Sequence, residues 1–195
     1  MPNSAAPRST TGTINASRED PRTYNRYEGV EQFLTSRRLV EAGVGCVTMI
    51  HGYWDTHGEN MIGGNNFIKH REQMSQLDRG LTNLIQDVHD RGMENDVVTV
   101  VWGEIGRTPR INANVGRDHW PLMSAVVAGG GLKMGQAIGA SSARGEHATD
   151  RPYTVQQVLS TLYGAMGIDP ARTFANANGR PLPLLDKREP VCELL

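Results

Sequence analysis

Two short segments carry residue types that bind divalent metal ions. Each places a carboxylate beside an imidazole in a polar stretch that contains glycine: Asp55 with His57, and Asp118 with His119. Carboxylate oxygens and imidazole nitrogens are common protein ligands of zinc and related metals. The sequence therefore predicts a metal site that these two segments build together.

The spacing within each pair indicates which side chains can share an ion. Asp55 and His57 lie two residues apart, so on an extended backbone both side chains fall on the same face. The alternative is a turn that Asp55 caps, with His57 as an ordinary surface histidine. Asp118 and His119 are adjacent, and on an extended backbone they point apart. Both belong to the candidate set, and we expect His119 to be the ligand of this pair.

A further carboxylate and several arginines lie between the two segments. Glu104 follows the apolar run 97–102, which is typical of a buried strand. It would bind a second metal ion or form an ion pair with Arg107 or Arg110. Arg107 and Arg117 are candidates for binding a phosphate or sulfate group, because a guanidinium matches the geometry of such oxyanions. Each is equally well explained as a solvated surface charge.

The elements that must position these residues alternate between helix and strand. In order, they are a helix at 27–42, a strand at 44–50, a helix from Phe67 to Gly92, a strand at 97–102, a strand at 122–128 and a helix from Thr154 to Gly167. Helix followed by buried strand, twice over, predicts an α/β fold with a layered, mostly parallel sheet and helices on both faces.

Three predicted strands are fewer than the roughly 4–6 of a typical sheet. Either edge strands have been missed, or the chain is part of a larger domain. The connection 103–121 is long and contains Glu104 and both residues of the second pair, so it is predicted to be functional. If His119 shares a site with the ends of the other strands, strand 122–128 must run antiparallel to its neighbours.

Length and composition restrict the other classes of function. With 195 residues the chain suits one domain, and its net charge of −1 with scattered Lys and Arg argues against nucleic-acid binding. No apolar run approaches the roughly 20 residues of a membrane span. Residues 1–23 are polar, contain no apolar core of a signal peptide, and are predicted to be a disordered or extended arm. The sequence assigns no compartment.

Several motifs, taken in order along residues 18–186, resemble the C-terminal half of the domain of unknown function 1501 family. They are Arg37–Val44, Trp54–Asn60, Trp102–Pro109, Gly116–Trp120 and Gly167–Pro170. That family is placed in the alkaline phosphatase and sulfatase superfamily of metal-dependent ester hydrolases. The resemblance implies a partial alkaline-phosphatase-like α/β domain at 24–186, incomplete at its N-terminus, with an arm at 1–23 and a tail at 187–195.

The resemblance also implies roles for individual residues. Asp55, His57 and His119 look like the ligands of one metal ion, which would be Zn, Mn or Mg. Glu104 stands where relatives carry an Asp that binds a second metal, but Ile105 follows it where relatives usually have His. The resemblance places the family's upstream Asp ligand and its nucleophilic Ser or Thr before the first matched motif.

Two functions follow from this reading. The first is a metal-dependent hydrolase of phosphate or sulfate esters, on a small-molecule or glycan substrate, in which this chain lacks the nucleophile unit. Ser9, Thr10, Thr11 and Thr13 precede no predicted element, so none is expected to be the nucleophile. The alternative is a non-catalytic fragment that acts as a binding or assembly module and associates with another copy through an exposed sheet edge.

Overall fold

The computed structural model describes residues 21–60 and 64–195. Most of the predicted arm, together with Ser9, Thr10, Thr11 and Thr13, lies outside the described residues. The helices are α1 Pro21–Arg26, α2 Glu31–Glu41, α3 Asn66–Asp90 and α4 Val155–Ala165, and a 3-10 turn spans Cys192–Leu194. The strands are β1 Val98–Val101, β2 Gly106–Arg107, β3 His119–Trp120, β4 Val126–Gly129, β5 Ala140–Ser141, β6 Ala148–Asp150, β7 Thr173–Ala175 and β8 Pro181–Pro183.

The main apolar core lies between α2 and α3. The buried members of this core are Tyr27, Val30, Phe33, Leu34, Leu84 and Val88. Gly80 allows the close approach of the two helices, because a Cβ at that position would overlap the ring of Phe33. The helical spacing of apolar residues predicted both helices, and both are observed within a few residues of the expected ends.

The strands form four separate two-stranded antiparallel sheets, in which β1 pairs with β4, β2 with β3, β5 with β6 and β7 with β8. The predicted layered, mostly parallel sheet is therefore wrong for the part of the chain that the structure describes. Helix–strand alternation indicates parallel pairing only when each strand returns to the same sheet. Here β1 and β4 are joined by a segment that reverses the chain, so that Val98 pairs with Gly129 and Val101 with Val126.

The predicted strand at 44–50 is also wrong. The segment is irregular, and Val44, Cys46 and Ile50 are exposed, with Ile50 retaining 91% of its accessible surface. An apolar run forms a buried strand only when a neighbouring strand takes up its backbone hydrogen bonds. None of the described strands pairs with this segment.

The direction predicted for the strand at 122–128 is confirmed. The observed strand β4 is shorter than expected, and it runs antiparallel to β1. The preceding connection 103–121 contains the short hairpin β2–β3, with Gly106 opposite Trp120 and Arg107 opposite His119. This hairpin brings the second predicted segment towards the first.

Among the described residues, no helix has both the length and the apolar character needed to cross a membrane.

Residues 187–195, predicted to be a tail, contain Val191 and Leu194, which are both buried. The backbone N–H of Val191 donates to Thr161 Oγ1 at 2.8 Å, and Lys133 N donates to the carbonyl of Leu194 at 2.8 Å. The domain boundaries at 23 and 186, and self-association through a sheet edge, stay predictions.

Candidate metal centre

Two chain segments meet at the candidate site: the loop 51–60, which leads towards α3, and the β2–β3 hairpin. Arg107 on β2 and His119 on β3 are direct cross-strand partners. Side chains directly opposite each other in a ladder lie on the same face, so both are delivered together. That face is turned towards the loop, since His119 and Arg107 both contact Asp55.

Backbone hydrogen bonds hold the loop and the hairpin together. Arg117 N donates to the carbonyl of Thr56 at 2.9 Å, and Glu59 N donates to the carbonyl of Asn114 at 2.8 Å. The Thr56 hydroxyl, which is fully buried, donates to Asn66 Oδ1 at 3.0 Å at the start of α3. A buried hydrogen-bonded pair is costly to break, so this contact fixes the loop relative to the helix.

The turn of the hairpin requires a glycine at 116. A Cβ there would overlap the backbone carbonyl of His57, so no larger residue permits this approach. The preceding residue, Val115, has a φ of 63°, a region that β-branched residues rarely adopt. Backbone outliers of this kind are often found near functional sites. Both features lie where the hairpin contacts the loop.

Three of the predicted ligands converge. One ligand atom each from Asp55, His57 and His119 lies within 4.8 Å of the others. Asp55 Oδ1 is 2.8 Å from His57 Nε2 and 3.3 Å from His119 Nε2. Asp55 and His57 are partly buried, whereas the side chain of His119 is 56% exposed, so one side of the group is open to solvent.

These distances fit a divalent metal ion. Ligand atoms that bind one zinc ion at roughly 2.0–2.2 Å lie about 3.3 Å apart at a tetrahedral angle. The separation between Asp55 and His119, 3.3 Å, equals that value, and the 2.8 Å between Asp55 and His57 is shorter and would widen when a metal binds. Two imidazole nitrogens and one carboxylate oxygen also form a common donor set for transition metals.

Asp118 lies on the other side of the His57 ring. Its Oδ1 is 2.9 Å from His57 Nδ1, while Nε2 of the same ring points to Asp55. The hydrogen bond to His57 is the main reason why the pKa of the Asp118 carboxyl is lowered. A carboxylate that accepts from Nδ1–H leaves the Nε2 lone pair for a metal. The geometry therefore gives Asp118 an orienting position, not that of a direct ligand.

We expect Asp118→Asn to lower the metal affinity by about tenfold or more, because outer carboxylates that orient a ligand histidine typically contribute that much. The asparagine retains the shape of the side chain but not its charge. Titration of zinc against a chromophoric chelator measures the change. Asp78→Asn, at an exposed position on α3, is the matched control. An affinity equal to that of wild type would contradict the orienting role.

Arg107 contacts the same group. Its Nη2 donates to Asp55 Oδ1 at 2.5 Å, and its Nη1 lies 3.3 Å from His57 Nε2. The hydrogen bond from Arg107 is the largest cause of the lowered pKa of Asp55, which falls to about 2. The Asp55 carboxyl is therefore ionised at any ordinary pH, as a metal ligand must be.

The other predicted site residues lie in different positions. The Arg117 guanidinium donates to the carbonyl of Thr108 at 3.0 Å, within the hairpin. Glu104 is exposed and does not belong to the metal-binding group found among the described residues. His51, at the start of the same loop, hydrogen-bonds Gln32 at 2.9 Å and packs against Phe33 with a ring-centre distance of 5.3 Å.

Several residues around the site were not anticipated from the sequence. Asn112 Nδ2 donates to the carbonyl of His57 at 2.9 Å, and its Oδ1 accepts from Gly116 N at 2.9 Å. His70, on α3, packs against Trp54 at 5.5 Å between ring centres. Burial, followed by the charges of Arg117 and Arg107, lowers its pKa. The only sequence signal for Asn112 was its position in a long polar connection, and that signal does not distinguish Asn112 from the other polar residues there.

Comparison with curated proteins and with solved structures found no match. Comparison with protein families found one whose description is Protein of unknown function (DUF1501), and the match spans residues 4–195. It covers almost the whole chain, including both segments of the candidate metal centre. The chain therefore belongs to the family described as Protein of unknown function (DUF1501).

Proposed function

We propose that Asp55, His57 and His119 bind one divalent metal ion, and that the metal-loaded protein hydrolyses phosphate or sulfate esters. The observation that carries the proposal is the convergence of the three ligand atoms within 4.8 Å from two separate chain segments. The two imidazole nitrogens favour Zn²⁺ over Mn²⁺ and Mg²⁺, which prefer oxygen ligands.

A metal ion bound at such a site would polarise an ester oxygen and lower the pKa of a coordinated water. The residues around it have defined tasks. Asp118 holds the His57 ring in one orientation, and Asp55 supplies the negative charge. Arg107 lies beside the ligands. The backbone carbonyl of Arg117 accepts from Arg107 Nη1 at 3.2 Å.

The charge and accessibility of the site favour an anionic ester as its substrate. The Arg107 guanidinium can offer a two-pronged donor to the oxygens of a phosphate or sulfate group. The exposed side of His119 gives such an ester a route to the metal. A small-molecule or glycan ester fits this open arrangement.

The test is hydrolysis of 4-nitrophenyl phosphate and 4-nitrophenyl sulfate by protein loaded with Zn²⁺ or Mn²⁺. We expect one ester to be cleaved, and the rate to fall by about 100-fold or more in Asp55→Asn and after chelation, because the metal is lost. Asp78→Asn makes the same change of charge at an exposed helical position and should retain the activity. A protein that binds metal stoichiometrically and cleaves neither ester would overturn the hydrolase part of the proposal.

A further inference from the structure

We propose that the Arg107 guanidinium and the divalent metal ion compete for Asp55, so that metal binding releases Arg107 to hold the anionic group of the ester. This inference rests on the proposed function, because it requires Asp55, His57 and His119 to be metal ligands. It adds an order of events: the metal binds first, and the anion binds second.

The contacts of Arg107 carry the argument. The guanidinium touches two of the three proposed ligand atoms, at 2.5 Å from Asp55 Oδ1 and 3.3 Å from His57 Nε2. Among the described ion pairs, Arg107 is the only arginine or lysine that contacts Asp55. The guanidinium therefore lies where it blocks the approach of a metal ion to both atoms.

Two cations cannot share these atoms without a cost. The single lone pair of an imidazole nitrogen that binds a metal cannot also accept from a guanidinium, and at the carboxylate oxygen the two positive charges repel each other. Arg107 is permanently charged, so it cannot relieve the repulsion by losing a proton. Its long side chain must instead rotate away from Asp55.

The hairpin limits where the released side chain can go. Arg107 is fixed on β2 opposite His119 on β3, so its side chain leaves the hairpin on the same face as that of His119. A guanidinium on that face, beside a divalent cation, forms a fork for two oxygens of a phosphate or sulfate group. The residue that hinders the metal before loading thus becomes an anion ligand after it.

The experiment compares Arg107→Gln with wild type and with Arg110→Gln. Arg110 lies on the same hairpin and its side chain is 80% exposed, so it controls for the loss of one positive charge. Zinc affinity is measured by competition with a chromophoric chelator. Inorganic phosphate is then titrated calorimetrically into the zinc-loaded and the zinc-free proteins, and circular dichroism verifies folding.

We expect Arg107→Gln to bind zinc about two- to fivefold more tightly, which corresponds to the usual strength of a partly exposed ion pair. We expect the same variant, when loaded with zinc, to bind phosphate more weakly than wild type. Arg110→Gln should match wild type in both measurements. Wild type should bind phosphate only after zinc.

Other outcomes separate the two proposals. Zinc affinity that falls in Arg107→Gln would mean that the arginine supports Asp55, and would overturn competition while leaving the metal site intact. Unchanged zinc affinity would also overturn it. If neither wild type nor Arg107→Gln binds zinc, the proposed metal site itself fails, and this inference fails with it.

Discussion

A protein that lacks both His57 and His119 is expected to bind no stoichiometric divalent metal. The His57→Ala, His119→Ala double variant removes both nitrogen donors of the three-atom group and leaves only the Asp55 carboxylate. That carboxylate already accepts a hydrogen bond from Arg107 at 2.5 Å. A single carboxylate beside a permanent cation is a poor metal ligand, so the binding should be lost altogether.

Metal content per chain is measured by inductively coupled plasma mass spectrometry after equilibration with zinc and desalting. The matched control is His89→Ala, His147→Ala, which removes two imidazoles at exposed positions outside the group. Wild type and this control should retain about one zinc ion per chain, as a single site implies. Equal zinc content in both double variants would refute the site, because the bound metal would then lie elsewhere.

The sequence predicted the members of the metal group better than it predicted the fold around them. Asp55 and His57 lie two residues apart, and this local relation survives in almost any extended loop. His119 was expected to join them because the family resemblance matches it to a later histidine ligand. The structure places these three residues together, and their role as ligands stays a prediction until metal is measured.

The position of Asp118 shows where spacing alone was insufficient. Adjacent side chains point apart only on a regular extended backbone, and Asp118 precedes β3 rather than belonging to it. Both it and His119 therefore reach the loop, one at each end of the arrangement: Asp118 at His57 Nδ1 and His119 at Asp55. Which nitrogen a carboxylate contacts depends on tertiary contacts that no spacing rule contains.

The sheet was mispredicted because strand pairing is non-local. The apolar run at 97–102 does contain β1, and the helices before and after it were correctly anticipated. Their alternation does not reveal that the chain between β1 and β4 folds back through the β2–β3 hairpin. Arg107 and His119 became cross-strand partners through that same reversal. The chain reversal that made the fold prediction wrong therefore also brings the site residues together.

The second large effect is expected in the α2–α3 core, where Asp87→Ala should destabilise the protein by about 3 kcal/mol or more. Asp87 retains only 5% of its accessible surface and Arg37 only 2%. Asp87 Oδ2 accepts from Arg37 Nε at 2.9 Å, and Oδ1 accepts from Arg91 Nε at 2.9 Å. Removing one partner of a buried ion pair leaves the other charge poorly compensated.

The partners of this network include a phenol and a second carboxylate. The Tyr27 hydroxyl lies 3.4 Å from Asp87 Oδ2, and Arg37 also contacts Glu41 at 2.5 Å. Burial, followed by the charge of Asp87, raises the pKa of Tyr27, so its hydroxyl stays protonated and can donate. Because Glu41 still compensates part of the Arg37 charge, the expected loss lies at the lower end of the range for buried pairs, about 3–5 kcal/mol.

Chemical denaturation with urea measures the free energy of unfolding. Asp78→Ala, an exposed change on the same helix, should stay within about 0.5 kcal/mol of wild type, and a similar value for Asp87→Ala would contradict the prediction. Replacing both charges, in Arg37→Met with Asp87→Leu, should recover part of the loss.

Asp87 lies 21 residues beyond Asn66, about 31 Å along α3 from the end that holds Thr56. The folded Asp87→Ala variant should therefore bind zinc as wild type does, because its defect lies at the opposite end of the helix from the metal centre.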